Sequence, residues 1–264
     1  MWLKRKWKKL KLSVLGSGSA GNCSYIEIGG KKFLVDVGYS VKKIREKLAT
    51  IDRELEQIDA IFITHDHGDH MKAVGIISRK YDIPIYIHKD SLKQIQKKVL
   101  KLDMENIRIL EDRRVFLDNV LIENFDVMHD SAHNLGYTFN HANKKLAYVT
   151  DIGKITNIVR QACLNSDFIA FESNYDLDML LNGSYIWTLK NRVKSNVGHI
   201  SNEEATRFLS SISNNILKKI FLLHLSSDNN TEELAYNTLK DKIDKRIEIN
   251  ITSQVATKLF ELKK

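Results

Sequence analysis

The chain has 264 residues, of which 43% are hydrophobic, and its formal net charge is +8. This length suffices for one large core, or for two packed halves that share an interface. No run approaches the roughly 18 apolar residues of a membrane-spanning helix, and the charged amino terminus lacks the apolar stretch of a secretory signal. We therefore expect a cytoplasmic, single-domain protein over residues 1–264, with its core at about 11–252 and a basic amino-terminal extension at 1–10.

The cysteine content and the net charge are weaker indications of the protein's compartment and partner. Cys23 and Cys163 are far apart and lack metal-type spacing, which is typical of a reducing compartment and argues against a disulfide scaffold. The excess of Lys and Arg favours a polyanionic partner, because positive charge raises the local concentration of phosphate-bearing ligands. Genome composition is an equally good explanation, since the chain is also rich in Asn and Ile and has one proline.

Short strands and helices alternate through the first half of the chain, which is typical of an α/β fold. The small-residue loop Gly16-Ser-Gly-Ser-Ala-Gly-Asn22 separates two predicted strands. Glycines allow a backbone to approach a ligand closely, so Ser17 and Asn22 are candidates for substrate contact, although a plain tight connection is the more common use. Strands are expected over 11–15, 23–28, 32–36, 83–87 and 106–110, and helices over 40–49, 71–80 and 91–100.

The most informative stretch is an apolar run that ends in several possible metal ligands, Ile58-Asp-Ala-Ile-Phe-Ile-Thr-His-Asp-His-Gly-Asp-His70. Its β-branched and aromatic residues are too few for a helix and suit a strand covered on both faces. Chemistry collects where such strands stop, because the rigid sheet orients the loop side chains. Imidazole and carboxylate groups without thiolates favour a catalytic metal site. The candidate ligands are His65, His67, Asp69 and His70.

A possible metal site is completed by three residues from later parts of the chain. His129, Asp151 and His224 each follow a predicted strand. Ligands from separate strand ends are what a composite site requires, because a second layer must close over the first. The three strands are expected over 120–127, 146–150 and 219–223.

Glu172 and His199 are candidates for acid–base chemistry. Glu172 ends a predicted strand, and His199 precedes the capping-box sequence Ser201-Asn-Glu-Glu204, which marks the start of a helix. A role in capping that helix is the alternative for His199. The remaining elements are expected as helices over 155–164 and 203–212, one or two helices over 177–193, strands over 135–139 and 168–171, one helix after residue 231 and a final strand over 248–251.

The pattern H-x-H-x-D-H after a hydrophobic strand resembles the signature of the metallo-β-lactamase superfamily. The resemblance implies an αβ/βα four-layer sandwich, in which two packed mixed β-sheets are flanked by helices. It also implies two divalent ions, zinc or manganese, with Asp36 supporting the metal loop without binding metal itself. In this assignment His65, His67 and His129 hold one ion, Asp69, His70 and His224 hold the other, and Asp151 lies between them.

Later motifs are similar to narrower groups within the superfamily. A Glu-and-His pair like Glu172 and His199 stands beside the metals of ribonuclease Z and the β-CASP nucleases. The motifs Phe171-Glu-Ser-Asn174 and Asn196-Val-Gly-His-Ile-Ser-Asn202 resemble the YycJ/WalJ type of metallohydrolase, and the resemblance spans about residues 12–230. It implies a phosphodiesterase, specifically an exonuclease that acts on DNA from a five-prime end.

The chemistry implied is hydrolysis by an activated water molecule. Two cations lower the pKa of a bound water toward about 7, which gives a hydroxide nucleophile at neutral pH. A carboxylate-held histidine then suits protonation of the basic leaving oxygen. The predicted catalytic residues are Asp69, Glu172 and His199.

Nucleic acid is therefore the expected partner, with DNA favoured over RNA. The basic stretch 187–194 predicts phosphate contacts from Lys190, Arg192 and Lys194, although a solvated charged face is nearly as good an explanation for each. One alternative is a small-molecule hydrolase of the glyoxalase II or lactonase kind, with an enclosed apolar pocket. A ribonuclease and a non-catalytic nucleic-acid-binding protein are the others.

Overall fold

The computed structural model describes residues 9–99 and 101–262, which contain two seven-stranded β-sheets. The first half of the chain builds the first sheet, to which the last strand returns. Its strands are β1 (Leu10–Gly16), β2 (Cys23–Ile28), β3 (Lys31–Val35), β4 (Ala60–Phe62), β5 (Ile85–Ile87), β6 (Ile107–Ile109) and β14 (Phe260–Glu261). Their order is β14-β1-β2-β3-β4-β5-β6, with β3 to β6 parallel.

The second half of the chain builds the second sheet. Its strands are β7 (Arg114–Leu117), β8 (Val120–Val127), β9 (Asn134–His141), β10 (Lys144–Val149), β11 (Phe168–Glu172), β12 (Lys219–Leu223) and β13 (Glu248–Ile251). Their order is β13-β12-β11-β10-β9-β8-β7. The strands β10 to β13 are parallel, so helices supply the crossover connections that parallel strands need.

Helices cover the outer face of each sheet. None of those in the described part of the chain combines the length and apolar content needed to cross a membrane. The α-helices are α1 (Val41–Ala49), α2 (Gly68–Met71), α3 (Val74–Lys80), α4 (Lys89–Lys98), α5 (Asn157–Cys163), α6 (Leu177–Asn182), α7 (Trp187–Val193), α8 (Asn202–Ile212) and α9 (Glu232–Lys240), and short 3-10 turns lie at Leu55–Gln57 and Met104–Asn106.

Three separate apolar clusters define four layers. The central cluster lies between the sheets, where the Phe62 ring meets Tyr137 and Phe139 edge-on at centroid distances of 5.5 and 5.6 Å. The second cluster joins α1, α3 and α4 to the first sheet, and the third joins α5, α8 and α9 to the second. The predicted αβ/βα four-layer sandwich is confirmed.

Several predicted boundaries are wrong. The helix expected over 71–80 is interrupted at Ala73, whose N–H donates to the Val37 carbonyl at 2.9 Å. The segment 177–193 forms two helices, which is one of the two outcomes expected. The predicted core limits of 11 and 252 are too narrow, because Leu10 is buried in β1 and β14 pairs with β1 in antiparallel register. A two-residue strand is too short to produce an alternating pattern. Residues 1–8 of the predicted basic extension lie outside the described residues.

Candidate metal centre

The parallel strands of both sheets end at one rim of the sandwich, where the predicted site residues gather. Asp36, Asp151 and His224 follow β3, β10 and β12 and adopt left-handed backbone conformations, with φ of +60°, +54° and +54°. Such conformations cost non-glycine residues roughly 1–3 kcal/mol and concentrate at functional sites. The backbone therefore turns sharply at the end of each of these strands, at the residue whose polar side chain is predicted to belong to the site.

The first group of candidate ligands contains three imidazoles. His65, His67 and His129 each offer a ring nitrogen, and these atoms lie within 4.8 Å of one another. The ring centroids are 4.6 Å apart for His65 and His67 and 5.1 Å apart for each of them with His129. The structure thus brings together the set predicted to share one ion.

The Asp151 carboxylate lies close to His129 of this group and to His70 and His224, two of the residues predicted to hold the other ion. Its oxygens are 3.1 Å from His224 Nδ1, 3.3 Å from His70 Nε2 and 3.7 Å from His129 Nε2. Burial raises the pKa of Asp151, but the charges of His224 and His70 outweigh burial and hold that pKa well below its usual range. Asp69 lies at the edge of the centre, with Oδ2 3.4 Å from His70 Nε2.

Asp36 holds the metal loop from outside the centre. Its carboxylate accepts hydrogen bonds from the Thr64 backbone N–H at 2.8 Å and the Thr64 hydroxyl at 2.9 Å. Its Oδ2 also lies 2.8 Å from His70 Nδ1. Because a carboxylate accepts, Nδ1 of His70 donates its hydrogen to Asp36, which leaves Nε2 as the ring nitrogen that faces the centre. The position of Asp36 is the one predicted from its sequence.

Two further imidazoles are oriented in the same way. His129 Nδ1–H donates to the Gly198 carbonyl at 3.1 Å, and His65 Nδ1 lies 3.0 Å from the Thr64 hydroxyl. Burial and the neighbouring charge of His70 lower the pKa of His65 well below its usual value. His65 is therefore neutral, with Nε2 available as a ligand.

Buried nitrogens without partners test whether these groups fit metal ions. Among the residues the structure describes, His65 Nε2 and His224 Nε2 make no hydrogen bond although they are buried. Leaving such a group unpaired costs about 1–3 kcal/mol. Divalent cations that accept imidazole and carboxylate ligands would satisfy these atoms, so the residues present fit metal ions.

Glu172 and His199 form a pair beside this centre. His199 Nδ1 lies 3.0 Å from Glu172 Oε1, and the carboxylate also accepts the Ile200 and Ile152 backbone N–H groups at 3.3 and 3.2 Å. Glu172 is fully buried, whereas the His199 side chain is 19% exposed. The His199 ring lies 5.2 Å from the ring of His129. Glu172 therefore fixes the orientation of an imidazole that solvent still reaches.

The environments of Ser17 and Asn22 do not support the predicted substrate contacts. Both residues are buried. The Ser17 hydroxyl accepts the His224 backbone N–H at 2.8 Å, and the Asn22 amide nitrogen lies 2.9 Å from His70 Nε2 and 3.2 Å from Asp69 Oδ2. These side chains position candidate ligands, because the small-residue loop folds against the metal loop and not toward solvent.

The basic residues of α7 have three different environments. Lys190 is buried and donates to the Leu181 and Gly183 carbonyls at 2.7 and 2.8 Å, which does not support its predicted phosphate contact. Arg192 is exposed and pairs with Asp130 at 2.5 Å. Lys194 lies over the Trp187 ring, 5.3 Å from its centroid. Phosphate contact by Arg192 and Lys194 stays a prediction.

His88, Asp90 and His133 also lie close enough together to hold a metal ion, but stacking and helix capping account for their arrangement. The two imidazoles stack face to face, with centroids 3.6 Å apart and planes inclined by 17°. Nearly parallel rings direct their in-plane lone pairs alongside each other, not at one ion. His88 Nδ1 accepts the Asp90 N–H and so caps α4.

Gly38 is a site residue that sequence reasoning missed. A Cβ at this position would lie 1.6 Å from the Asp69 carbonyl oxygen. The Gly38 N–H donates to the Asn22 carbonyl at 2.9 Å, and the Asn22 N–H donates to the Asp69 carbonyl at 2.8 Å. Three loops therefore meet where only glycine fits. The sequence Leu34-Val-Asp-Val-Gly38, with its glycine just after Asp36, is the one local signal.

Gly38→Ala should displace the metal loop, whereas Gly68→Ala should be silent. Overpacking of this kind costs about 1–3 kcal/mol, and it would move Asp69 away from His70. A Cβ at Gly68 meets no atom within 4 Å, although Gly68 is only one residue from Asp69. Thermal unfolding and bound-metal analysis of both variants would check this. Equal behaviour of the two would show that the contact at Gly38 is unimportant.

Known proteins are similar to this chain in sequence and in fold. The Beta-lactamase superfamily domain matches residues 31–224. Exodeoxyribonuclease YycJ of Bacillus anthracis is 35% identical over 239 residues, 90% of each chain. Exodeoxyribonuclease WalJ of Streptococcus pneumoniae is 38% identical over 236 residues, 88% of each chain. The structure of the metallo-beta-lactamase fold protein YhfI from Bacillus subtilis superposes with a TM-score of 0.74 at 18% identity, covering 97% of this chain and all of YhfI.

The chain therefore belongs to the metallo-β-lactamase superfamily, within the family of the YycJ and WalJ exodeoxyribonucleases. It is a metal-dependent hydrolase by family. The resemblance inferred from the H-x-H-x-D-H motif and the later motifs is confirmed.

Proposed function

We propose that this protein is a dinuclear-metal phosphodiesterase that shortens DNA from an end, with the five-prime end favoured. The observation that carries the proposal is the Glu172–His199 pair beside the histidine and aspartate groups. The similarity to YycJ and WalJ, which extends over 88–90% of the chain, supports DNA as the substrate. The buried, unpaired cysteines Cys23 and Cys163 are consistent with the proposed cytoplasmic location.

The proposed ions are zinc or manganese, and we infer two of them. His65, His67 and His129 would hold the first, Asp69, His70 and His224 would hold the second, and Asp151 would contact both. Contacts between Asp151 and members of both sets support this arrangement. When bound, the ions would lower the pKa of an attacking water and stabilise negative charge on the phosphate.

His199 is proposed to protonate the leaving oxygen. Its Nδ1–H is directed to Glu172, so Nε2 is the atom that would donate a proton. Burial raises the pKa of Glu172, but its interactions with His199 and His224 lower it below its usual value. The carboxylate is therefore ionised and accepts the hydrogen bond from His199 Nδ1. A nucleotide oxygen is a strongly basic leaving group and benefits from such an acid.

The small-molecule alternative uses this pair less well. A thioester releases a thiolate with a pKa near 8.5, which needs little protonation. A ribonuclease would use the pair equally, so it remains the second candidate function. The structure places partly exposed His199 and exposed Arg192 at the rim, which supports an extended polyanionic substrate.

End-labelled oligonucleotides would test the proposal. Protein loaded with manganese or zinc is incubated with single-stranded and duplex DNA, matched RNA and a thioester panel. We expect metal-dependent shortening of DNA from one end, faster than cleavage of RNA. Preferential RNA cleavage would establish the ribonuclease alternative, and thioester hydrolysis without DNA cleavage would establish the small-molecule alternative.

Metal binding should strengthen as the pH rises. Burial alone would lower the pKa of His224, but Asp151 and Glu172 reverse this and raise it to about 10. In metal-free protein His224 is therefore protonated at neutral pH, and an ion must displace that proton. Affinity should rise about tenfold per pH unit for each proton released below pH 10. Calorimetric titration between pH 6 and 8, in buffers of different ionisation enthalpy, measures the release directly. A metal affinity that does not change with pH would contradict this release of a proton from His224.

A further inference from the structure

The turn between α6 and α7 presents an unusual apolar surface. Trp187, the first residue of α7, is 63% exposed, and Ile186 before it is 71% exposed. Leu177 and Leu181 of α6 are 40% and 39% exposed. Tryptophan is normally well buried, and an exposed apolar group beside a functional site often marks a binding surface.

This surface is fixed to the candidate centre by the carboxyl end of α7. The His199 N–H donates to the Val193 carbonyl at 2.7 Å. A Cβ at Gly198 would lie 2.1 Å from the Arg192 carbonyl oxygen, so helix and loop are in close contact. Trp187 and Val193 are six residues apart, about 9 Å along a helix.

Positive charge accompanies the aromatic ring. Lys194 lies seven residues after Trp187, on the same face of the helix, with Nζ 5.3 Å from the ring centroid. Arg192 pairs with Asp130, and Asp130 Oδ1 lies 3.4 Å from His129 Nε2. Cations therefore lie both beside the exposed ring and beside the candidate metal ligands. An aromatic face with adjacent cations is suited to stacking on a base while a phosphate is neutralised.

We propose that Trp187 stacks on an unpaired base of the substrate strand, away from the scissile bond, while Lys194 contacts a neighbouring phosphate. This inference rests on the proposed nuclease function and specifies its substrate as single-stranded at that position. Within a duplex both faces of each internal base are covered by neighbouring bases, so an internal paired base cannot stack on Trp187.

The fluorescence of Trp187 tests the contact without catalysis. The chain has three tryptophans, Trp2, Trp7 and Trp187, so a Trp2→Phe, Trp7→Phe variant reports on Trp187 alone. Metal-free protein is titrated with a single-stranded DNA oligonucleotide and with a blunt duplex of the same length. We expect saturable quenching by the single strand and little by the duplex. Binding of the single strand, measured by anisotropy, without any change in fluorescence would overturn the proposal.

Substitution of Trp187 measures how much its ring contributes to the affinity for single-stranded DNA. Trp187→Ala should weaken single-strand binding about 5- to 150-fold, and Trp187→Phe should retain most of the affinity. Phe116→Ala is the matched control, because Phe116 is also an exposed aromatic, at 67%, but lies on the edge strand β7. Unchanged affinity in Trp187→Ala, together with a changed oligomeric state by sedimentation, would assign this surface to a second copy of the chain.

Substrate length separates failure of this inference from failure of the proposed function. Trp187→Ala and wild type should cleave a dinucleotide equally, because a dinucleotide is too short to reach the ring. On an oligonucleotide of eight residues, Trp187→Ala should show a raised KM with little change in kcat. If wild type cleaves DNA and Trp187→Ala matches it at both lengths, the inference is wrong and the function stands. If wild type neither binds nor cleaves nucleic acid, the function itself is wrong.

Discussion

His199→Ala should lower the rate of DNA cleavage about a hundred- to ten-thousand-fold, the usual contribution of general acid catalysis, without removing metal. Its Nδ1 faces Glu172 and not the group of His65, His67 and His129. The loss should shrink for bis(p-nitrophenyl) phosphate, because p-nitrophenolate barely needs a proton. Glu172→Gln should behave similarly but more mildly, since the imidazole stays while its anionic partner is lost.

Two results would contradict the role of His199 as an acid. Ring nitrogens of His199 and His224 and oxygens of Asp151 and Glu172 lie within 4.8 Å of one another, so geometry alone also permits His199 to bind metal. Loss of bound metal in His199→Ala would make it a ligand. Equal losses for good and poor leaving groups would reduce it to a positioning role, such as support of the loop before α8.

Asp151→Asn should cause the second large effect, loss of metal from both groups. Asparagine keeps the shape and tolerates the left-handed backbone at this position, so the change removes mainly the carboxylate charge between the two ligand sets. Metal affinity should fall by more than the about 10- to 100-fold that loss of an outer hydrogen-bond partner costs. Asp36→Asn is the matched comparison, because Asp36 has the same backbone conformation and supports His70 from outside.

Metal content measured after equilibrium dialysis separates these variants. Asp151→Asn should retain fewer ions than Asp36→Asn, and Asp69→Ala should empty mainly the second position. Thermal unfolding in the presence of a chelator should change less than metal binding does. An Asp151→Asn protein that still binds two ions would refute the central position of this carboxylate.

Strand ends were predictable because their signals are local. An apolar run that stops at a polar residue locates Asp151 and His224, and parallel strands bring such ends to one rim. The capping box was equally local, and the reciprocal bonds between Ser201 and Glu204 are both present at 3.2 Å. The burial of the charged side chains at these strand ends then follows from the packing of the two sheets.

Contacts between distant segments were not predictable. The face that Lys190 presents depends on how two short helices pack, and its bonds to Leu181 and Gly183 replace the predicted exposure. The sequence predicts Asn22 as a loop residue near substrate, yet it lies against Asp69, which is 47 residues away. The contact of Gly38 with Asp69 is similar, because a glycine gives no side-chain signal of its own.

Anomalous diffraction from crystals of manganese-loaded protein is the most direct test of the central claim. We expect two peaks about 3.5–4 Å apart, one next to His65, His67 and His129 and the other next to Asp69, His70 and His224, with Asp151 contacting both and His199 outside both coordination shells. A single peak, or a peak coordinated by His199, would contradict the account.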